Sequence, residues 1–413
     1  MASGQTMYLG RTQIRDARVA LDDLSSSFLA LRLSSIRDSS LASGLAGLAL
    51  AYAALDTAFP GAGHAERAER ALDRAIDRLA NSTSSPSLYS GFTGIAWVAE
   101  LLGADPSTPR ESDPNAEIDA ALEAYLAVSP WSGPYDLIDG IVGIGVYALE
   151  RMPRSSAKRL LALVVSRLQE TARPKHPGIA WQSDPLWVPS QWRRTARPDF
   201  NLGVAHGVPG AIAMLARVAA AAVDASTHKT ACALLDGAVT WLLAQELPPD
   251  ADGRFGYRVA RGVSSSPARL AWCYGDAGIA AALLVAARAM DERALGNAAL
   301  RIATHAAART EATAGVIDAG LCHGAAGLAH IFRRIYMATG EENIAAAART
   351  WFQRTLAIRT PGQGLGGFRA YDGIERSWRG EPGFLTGSAG VTLALLAATT
   401  DSDSAWDRAL LLS

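Results

Sequence analysis

The chain has 413 residues, 49% of them hydrophobic and 19% charged, with a formal net charge of −1. That is enough apolar material for one large core or two ordinary ones. A charge balance so close to neutral, with no long basic run, argues against nucleic acid or an anionic membrane surface as a partner, since both need a clustered basic excess.

At the N-terminus, MASGQTMYLGRTQIRDARVA lacks the apolar core and cleavage pattern of a secretory signal. No apolar run along the chain reaches the roughly 18 residues of a membrane-spanning helix. The expected location is therefore the cytoplasm. Alanine is abundant while Val, Ile and Thr are sparse, which favours helix over strand. The three cysteines, Cys232, Cys273 and Cys322, are too few and of the wrong parity for a disulfide scaffold. In a reducing compartment they would be buried thiols, metal ligands or nucleophiles.

From about Gly44 onward one pattern recurs seven times: Gly, two residues, Gly, then an apolar helical run. The copies are SGLAGLALAYAAL at Gly44, SGFTGIAWVAELL at Gly91, DGIVGIGVYALE at Gly140, HGVPGAIAMLARV at Gly207, YGDAGIAAALLVAA at Gly275, HGAAGLAHIFRRI at Gly324 and TGSAGVTLALLAA at Gly387. The intervals of 47, 49, 67, 68, 49 and 63 residues each accommodate two helices and their loops. Runs that are apolar nearly all round suit buried helices. Between them lie amphipathic segments such as HAERAERALDRAIDRLA, His64 to Ala80, which suit an outer layer. The predicted fold is all-α: an α/α toroid of about seven inner and seven outer helices forming one domain over 1–413. The inner helix starts should gather at one end.

Three stretches break the pattern. Arg173 to Leu202 holds several prolines and three tryptophans, and Arg254–Arg269 and Gly362–Pro382 are similarly irregular. Long irregular segments are commonly functional, and aromatic-rich loops beside a cavity suit a peptide or another large ligand. Any single tryptophan can equally serve to pack its loop.

The polar residues next to the glycines differ from copy to copy. AWCYG places Cys273 two residues before Gly275, and LCHG places Cys322 and His323 directly before Gly324. Equivalent positions in successive copies point to a common cavity. Two thiolates and an imidazole are a soft donor set that suits zinc, and three protein ligands leave a fourth position open, as in catalytic sites. An open position takes water for hydrolysis or a thiol for thiolate chemistry, and the residues alone leave that choice open. His206, in AHG, is a candidate general acid/base, Asp136 a candidate for orienting it, and Arg269 a candidate for stabilising negative charge on an oxygen. Asp139 reads as a helix N-cap, His330 as a packed histidine and Cys232 as plain core.

AHGVPG, WCYGDAG and LCHGAAG, in this order, resemble the motifs of the lanthipeptide (lanthionine) cyclases, and the resemblance spans essentially the whole chain. It implies a stand-alone cyclase that adds peptide Cys thiols across dehydroalanine or dehydrobutyrine in a Michael-type reaction, closing the (methyl)lanthionine thioether rings of a lantibiotic. It also implies one Zn2+ held by Cys273, Cys322 and His323, with His206, Asp136 and Arg269 as catalytic residues. The implied partners are a dehydrated precursor peptide, a separate dehydratase and an exporter complex, with peripheral association at a membrane-bound maturation complex. The family's peptide-binding extension would fall at 173–202, where the insert is short. The competing readings are a non-cyclising relative that binds zinc and a small thiol such as glutathione, a glycoside hydrolase, and a scaffold protein. A glycoside hydrolase needs a carboxylate pair, and only Asp136 and Asp139, within one motif, offer one.

Overall fold

A computed structural model describes residues 8–103, 113–184, 198–400 and 404–413. Its long helices alternate between two layers. The outer ones are α1 (Arg11–Ala30), α3 (His64–Ala80), α5 (Ala116–Leu126), α7 (Ser155–Thr171), α9 (Ala225–Leu243), α11 (Arg293–Ala308) and α13 (Glu342–Ile358). The inner ones are α2 (Leu45–Ala58), α4 (Phe92–Gly103), α6 (Ile141–Glu150), α8 (Val208–Ala220), α10 (Asp276–Met290), α12 (Ala325–Thr339) and α14 (Ser388–Thr399).

The layers follow from side-chain pattern. In α14 every residue from Ser388 to Ala398 is buried, whereas α3 buries only His64, Ala68, Ala71 and Ala75 and keeps its charged residues off the core. A fully buried Leu or Ile contributes about 1.5–3 kcal/mol relative to exposure, so a helix apolar on all sides gains most inside the ring. One outer start is capped by a side chain: the Asp224 carboxylate accepts the N–H groups of Ser226 and Thr227 at the start of α9. Inner starts use the repeat's glycines instead.

The second glycine of each Gly-x-x-Gly pair permits a close approach. A Cβ on Gly47 would lie 2.3 Å from the Leu41 carbonyl oxygen and 2.8 Å from Phe384 Cβ. Leu41 belongs to the first repeat and Phe384 to the seventh, so this contact closes the ring. The inner helices touch in chain order, and α14 returns to α2. The turns before them are stitched by main-chain hydrogen bonds at the same end: Leu385 N–H to Ala42 O (3.0 Å), Ala42 N–H to Tyr89 O (2.9 Å), Leu137 N–H to Ala205 O (3.2 Å), Cys273 N–H to Cys322 O (3.2 Å) and Cys322 N–H to Leu385 O (2.8 Å).

The ring's hollow is filled from below by the C-terminal 3-10 helix Ala405–Leu410. Tyr89 Oη–H donates to Ala409 O (2.8 Å) and Trp272 Nε1–H to Leu410 O (2.9 Å). Asp407, fully buried, accepts from His330 Nε2 (2.7 Å) and from Arg334 Nε (2.5 Å) and Nη2 (2.8 Å). His330 is thus a packed histidine, as its sequence context suggests.

The irregular stretches form short antiparallel pairs. Strand β1 (Arg173–Lys175) pairs with β2 (Gly178–Ala180), β3 (Phe200–Asn201) with β4 (Arg258–Val259), and β5 (Ala370–Asp372) with β6 (Ser377–Arg379). The insert at 173–202 is therefore partly ordered strand, and its residues 185–197, with Trp187 and Trp192, lie outside the described residues. Trp181 is buried and donates Nε1–H to Leu168 O, so it packs the insert down. Two other expectations need correction. Asp139 does not cap α6: the N-cap is Gly140, and the Asp139 carboxylate accepts from Ser90 Oγ (3.3 Å). Cys232 is only partly buried on the outer helix α9, with Sγ 3.6 Å from His228 Nε2, because its side of that helix turns away from the core.

Candidate functional site

Each inner helix is preceded by two residues that face the ring end. The residue two before the glycine joins the hydrogen-bonded ring of turns, and Cys273 and Cys322 both occupy that slot. The residue directly before the glycine is, in order, Ser43, Ser90, Asp139, His206, Tyr274, His323 and Thr386. The ring thus gathers side chains spread along the chain from Ser43 to Thr386.

Cys273 Sγ, Cys322 Sγ and one ring nitrogen of His323 lie within 4.8 Å of one another. Zinc–sulfur bonds of about 2.3 Å and zinc–nitrogen bonds of about 2.0 Å put tetrahedral donors roughly 3.5–4 Å apart, which small side-chain rotations reach from here. Both cysteines are free thiols, and Cys273 is 6% exposed. The donor chemistry, the spacing and the burial all fit a zinc ion. The thiol of Cys322 donating to Cys273 holds the latter well below the usual thiol range; burial opposes this, while His323 and the Arg269 charge assist. Cys322 is pushed correspondingly high, first by that same pairing and then by burial. Burial pulls His323 down, but its hydrogen bond and charge interaction with Cys273, and the charge of Asp318, raise it overall.

Beside this trio stands a second group. His206 Nδ1 is 2.8 Å from Asp136 Oδ2, while Asp136 Oδ1 accepts the Asp139 N–H (2.8 Å). One carboxylate thus grips both the imidazole and its own turn, the one before Gly140. The surroundings of His206 disfavour its charged form, yet the hydrogen bond and charge of Asp136, aided by Asp139, raise its pKa above the ordinary histidine value. The imidazole keeps about two-fifths of its surface open. Asp139 is raised by burial and by the charge of Asp136. These three side chains also bring ligand atoms within 4.8 Å of one another.

Arg269 is half-buried, its main-chain N–H donating to Tyr257 Oη (3.0 Å), and its charge acts on all three members of the metal trio. All six residues singled out from the sequence therefore come to one end of the ring. The sequence reading overlooked Tyr274, Asn201 and Asp318. Tyr274 lies between His206 and His323 in the order of slots; Asn201 Nδ2–H donates to its oxygen (3.0 Å), and burial pushes its hydroxyl up to about 12. Its position directly before Gly275 was the available signal. Buried Asp318 accepts from Gly320 N–H (3.2 Å) and Tyr371 N–H (3.0 Å), fixing the turn that presents Cys322 and His323.

A closed double ring of helices with a thiol/imidazole trio and an Asp-oriented histidine at one end defines a class. A family model for lanthionine synthetase C-like proteins matches residues 35–411, and the chain belongs to that family. Among solved structures it is similar to nisin cyclase, over 98% of this chain and 98% of that chain, with a TM-score of 0.73 and 19% identity. An identity that low carries the fold alone. Among curated protein sequences none matches.

Proposed function

We propose that this protein is a zinc-dependent lanthipeptide cyclase acting on a dehydrated precursor peptide. The observation that carries the proposal is the meeting of Cys273, Cys322 and His323 ligand atoms within 4.8 Å. Those residues would hold Zn2+, which when bound supplies the Lewis acidity that lets a thiol ionise near neutral pH. Family membership supports the reaction class.

The chain's own residues would do the rest. The substrate thiol would give up its proton to solvent, from which His206 later regains the one it delivers; the sulfur bonds to the β-carbon of a dehydro residue, and the C=C π pair moves toward the adjacent carbonyl. Arg269 would stabilise charge developing on that oxygen. His206, its Nδ1 engaged by Asp136, would deliver a proton from Nε2 to the α-carbon. One S–C bond forms, one π bond is lost and the mass is unchanged. The whole chain would act as one toroidal domain, with the 173–202 segment contributing to the peptide surface. A separate dehydratase must first make the dehydro residues, and an exporter complex would take the product.

The test joins metal analysis with a cyclisation assay that follows loss of free thiol at constant mass. Wild type should carry one zinc and close rings; Cys273→Ala should do neither; His206→Asn should keep zinc yet lose ring closure. Metal-free wild type, or ring closure by Cys273→Ala, would sink the proposal. A zinc-loaded protein that binds glutathione and leaves every dehydrated peptide open would favour the thiol-binding alternative.

A further inference from the structure

Helix α3 carries its charges in pairs: Glu66–Arg67, Glu69–Arg70, Asp73–Arg74 and Asp77–Arg78. Spacings of three, four and four residues align Arg67, Arg70, Arg74 and Arg78 along one stripe. In the structure that stripe faces the 31–40 link between α1 and α2. Arg67 donates to the Leu29 and Leu31 carbonyls, and Arg78 donates to Ile36 O (2.6 Å) and Arg37 O (3.0 Å). These neutral acceptors fasten the link across the helix without cancelling the arginine charges.

Two hollows follow each other between link and helix. The first, of about 350 Å3, is lined by Arg32, Arg67, Arg70 and Arg74. The second, of about 420 Å3, is lined by Arg37, Arg78 and a run of hydroxyl side chains ending at Ser90. Six arginines face only Asp38 and Asp73 there, leaving four positive charges in excess on a chain whose net charge is −1. Asp38 is occupied by the Ser40 N–H (2.7 Å), and Arg70 has one exposed partner, Glu66, at 3.1 Å, a contact worth little in water. Among the described residues no carboxylate pairs with the exposed Arg32, Arg37 or Arg74. At its far end the groove reaches the candidate site, because Ser90 Oγ–H donates to Asp139 Oδ1.

We propose that this groove docks an acidic stretch of the peptide substrate, leading the rest of the chain past Ser90 toward His206. The inference rests on the peptide-cyclising reading above. Guanidinium forks match carboxylates. The stripe from Arg67 to Arg78 spans about 16 Å, the length of roughly five extended residues. The lining has no aromatic, and its apolar residues Leu33, Leu79 and Ile95 are buried or half-buried, whereas a membrane-binding face would offer protruding apolar anchors.

The experiment measures fluorescence anisotropy of a fluorescein-labelled Glu/Ser peptide and its Gln/Ser counterpart with the full chain. The acidic peptide should bind, the neutral one should not, and added salt should weaken binding steeply. Arg32→Glu/Arg70→Glu/Arg74→Glu should weaken it at least about tenfold with circular dichroism and zinc content unchanged. The milder Arg37→Ser and Arg74→Ser, each losing part of the affinity, serve if the triple variant misfolds. Equal binding of both peptides, or undiminished binding by the arginine variants, overturns the proposal. So does arginine-dependent binding to phosphatidylserine vesicles without peptide binding. Anisotropy involves no chemistry, so groove and cyclisation can fail separately: ring closure without acidic-peptide binding removes only the groove, and docking without ring closure removes only the cyclase reading.

Discussion

Asp136 shows how one carboxylate prepares a histidine. Its Oδ2 partners His206 Nδ1 and its Oδ1 holds the turn, so Asp136→Asn keeps the shape and removes the charge. The His206 pKa, followed by NMR titration of the imidazole, should then fall, and because His206 acts in its protonated form, the alkaline limb of the ring-closure pH profile should move to lower pH with it. The linkage has a definite sign. A histidine raised in the folded state contributes stability that is fully present below the unfolded pKa of about 6.5 and lost as pH rises through the folded value. Asp136→Asn should therefore destabilise the protein more at pH 6 than at pH 9, as read by urea midpoints. An equal loss at both would show that the pair is only a packing contact. The proposed roles of His206, Asp136 and Arg269 were legible because each lies within four residues of a repeat glycine or a candidate metal ligand; Asp318 lies six residues before Gly324, and Tyr274, directly before Gly275, was masked by the neighbouring Cys273.

Among the elements, glycine has two opposite meanings. Gly94 in α4 lies against the Leu88 carbonyl, where a Cβ would come within 1.9 Å. Gly94→Ala should cost about 1–3 kcal/mol through forced backbone shifts, seen as a lower urea midpoint at unchanged slope. Gly296, in the first turn of outer helix α11, has only Ala287 Cβ within reach, at 3.8 Å. Gly296→Ala should stabilise by about 0.5–1 kcal/mol, since alanine is the better helix former. If both substitutions behaved alike, the inner glycines would be sequence habit rather than packing necessity. The layer assignment itself was readable from side-chain periodicity: α3 occupies the predicted span His64–Ala80 without a shift. The strands were not, because pairs of two or three residues carry no period and depend on partners far along the chain.

The molecule as a whole is locked by its C-terminal segment. Asp407 is fully buried; burial opposes its ionisation, but hydrogen bonds and charge from His330 and Arg334 outweigh that and hold it below the usual carboxylate range. Its contribution is therefore present above an unfolded pKa of about 3.9 and lost as pH falls further. Asp407→Asn should cost about 3–5 kcal/mol at neutral pH, because it strands buried positive charge. The gap between variant and wild type in chemical denaturation should narrow below about pH 4. Trp272→Phe removes one donor to Leu410 O and should cost about 1–3 kcal/mol by leaving a buried carbonyl unpaired; an unchanged melting temperature would show that the C-terminal helix is held by apolar contact alone.

The amino-acid sequence by itself determined the seven inner starts and the two helical layers, and it marked Cys273, Cys322 and His323 as candidate metal ligands, because each is written locally: a Gly-x-x-Gly, a helical period, a Cys or His just before the glycine. Tertiary structure decided what no single repeat contains. It set the closure of Phe384 onto Gly47, the C-terminal helix in the hollow, the outward turn of Cys232 and the arginine stripe fastened to the 31–40 link. Each of these depends on which distant surfaces come to share a volume, and only the closed ring specifies that.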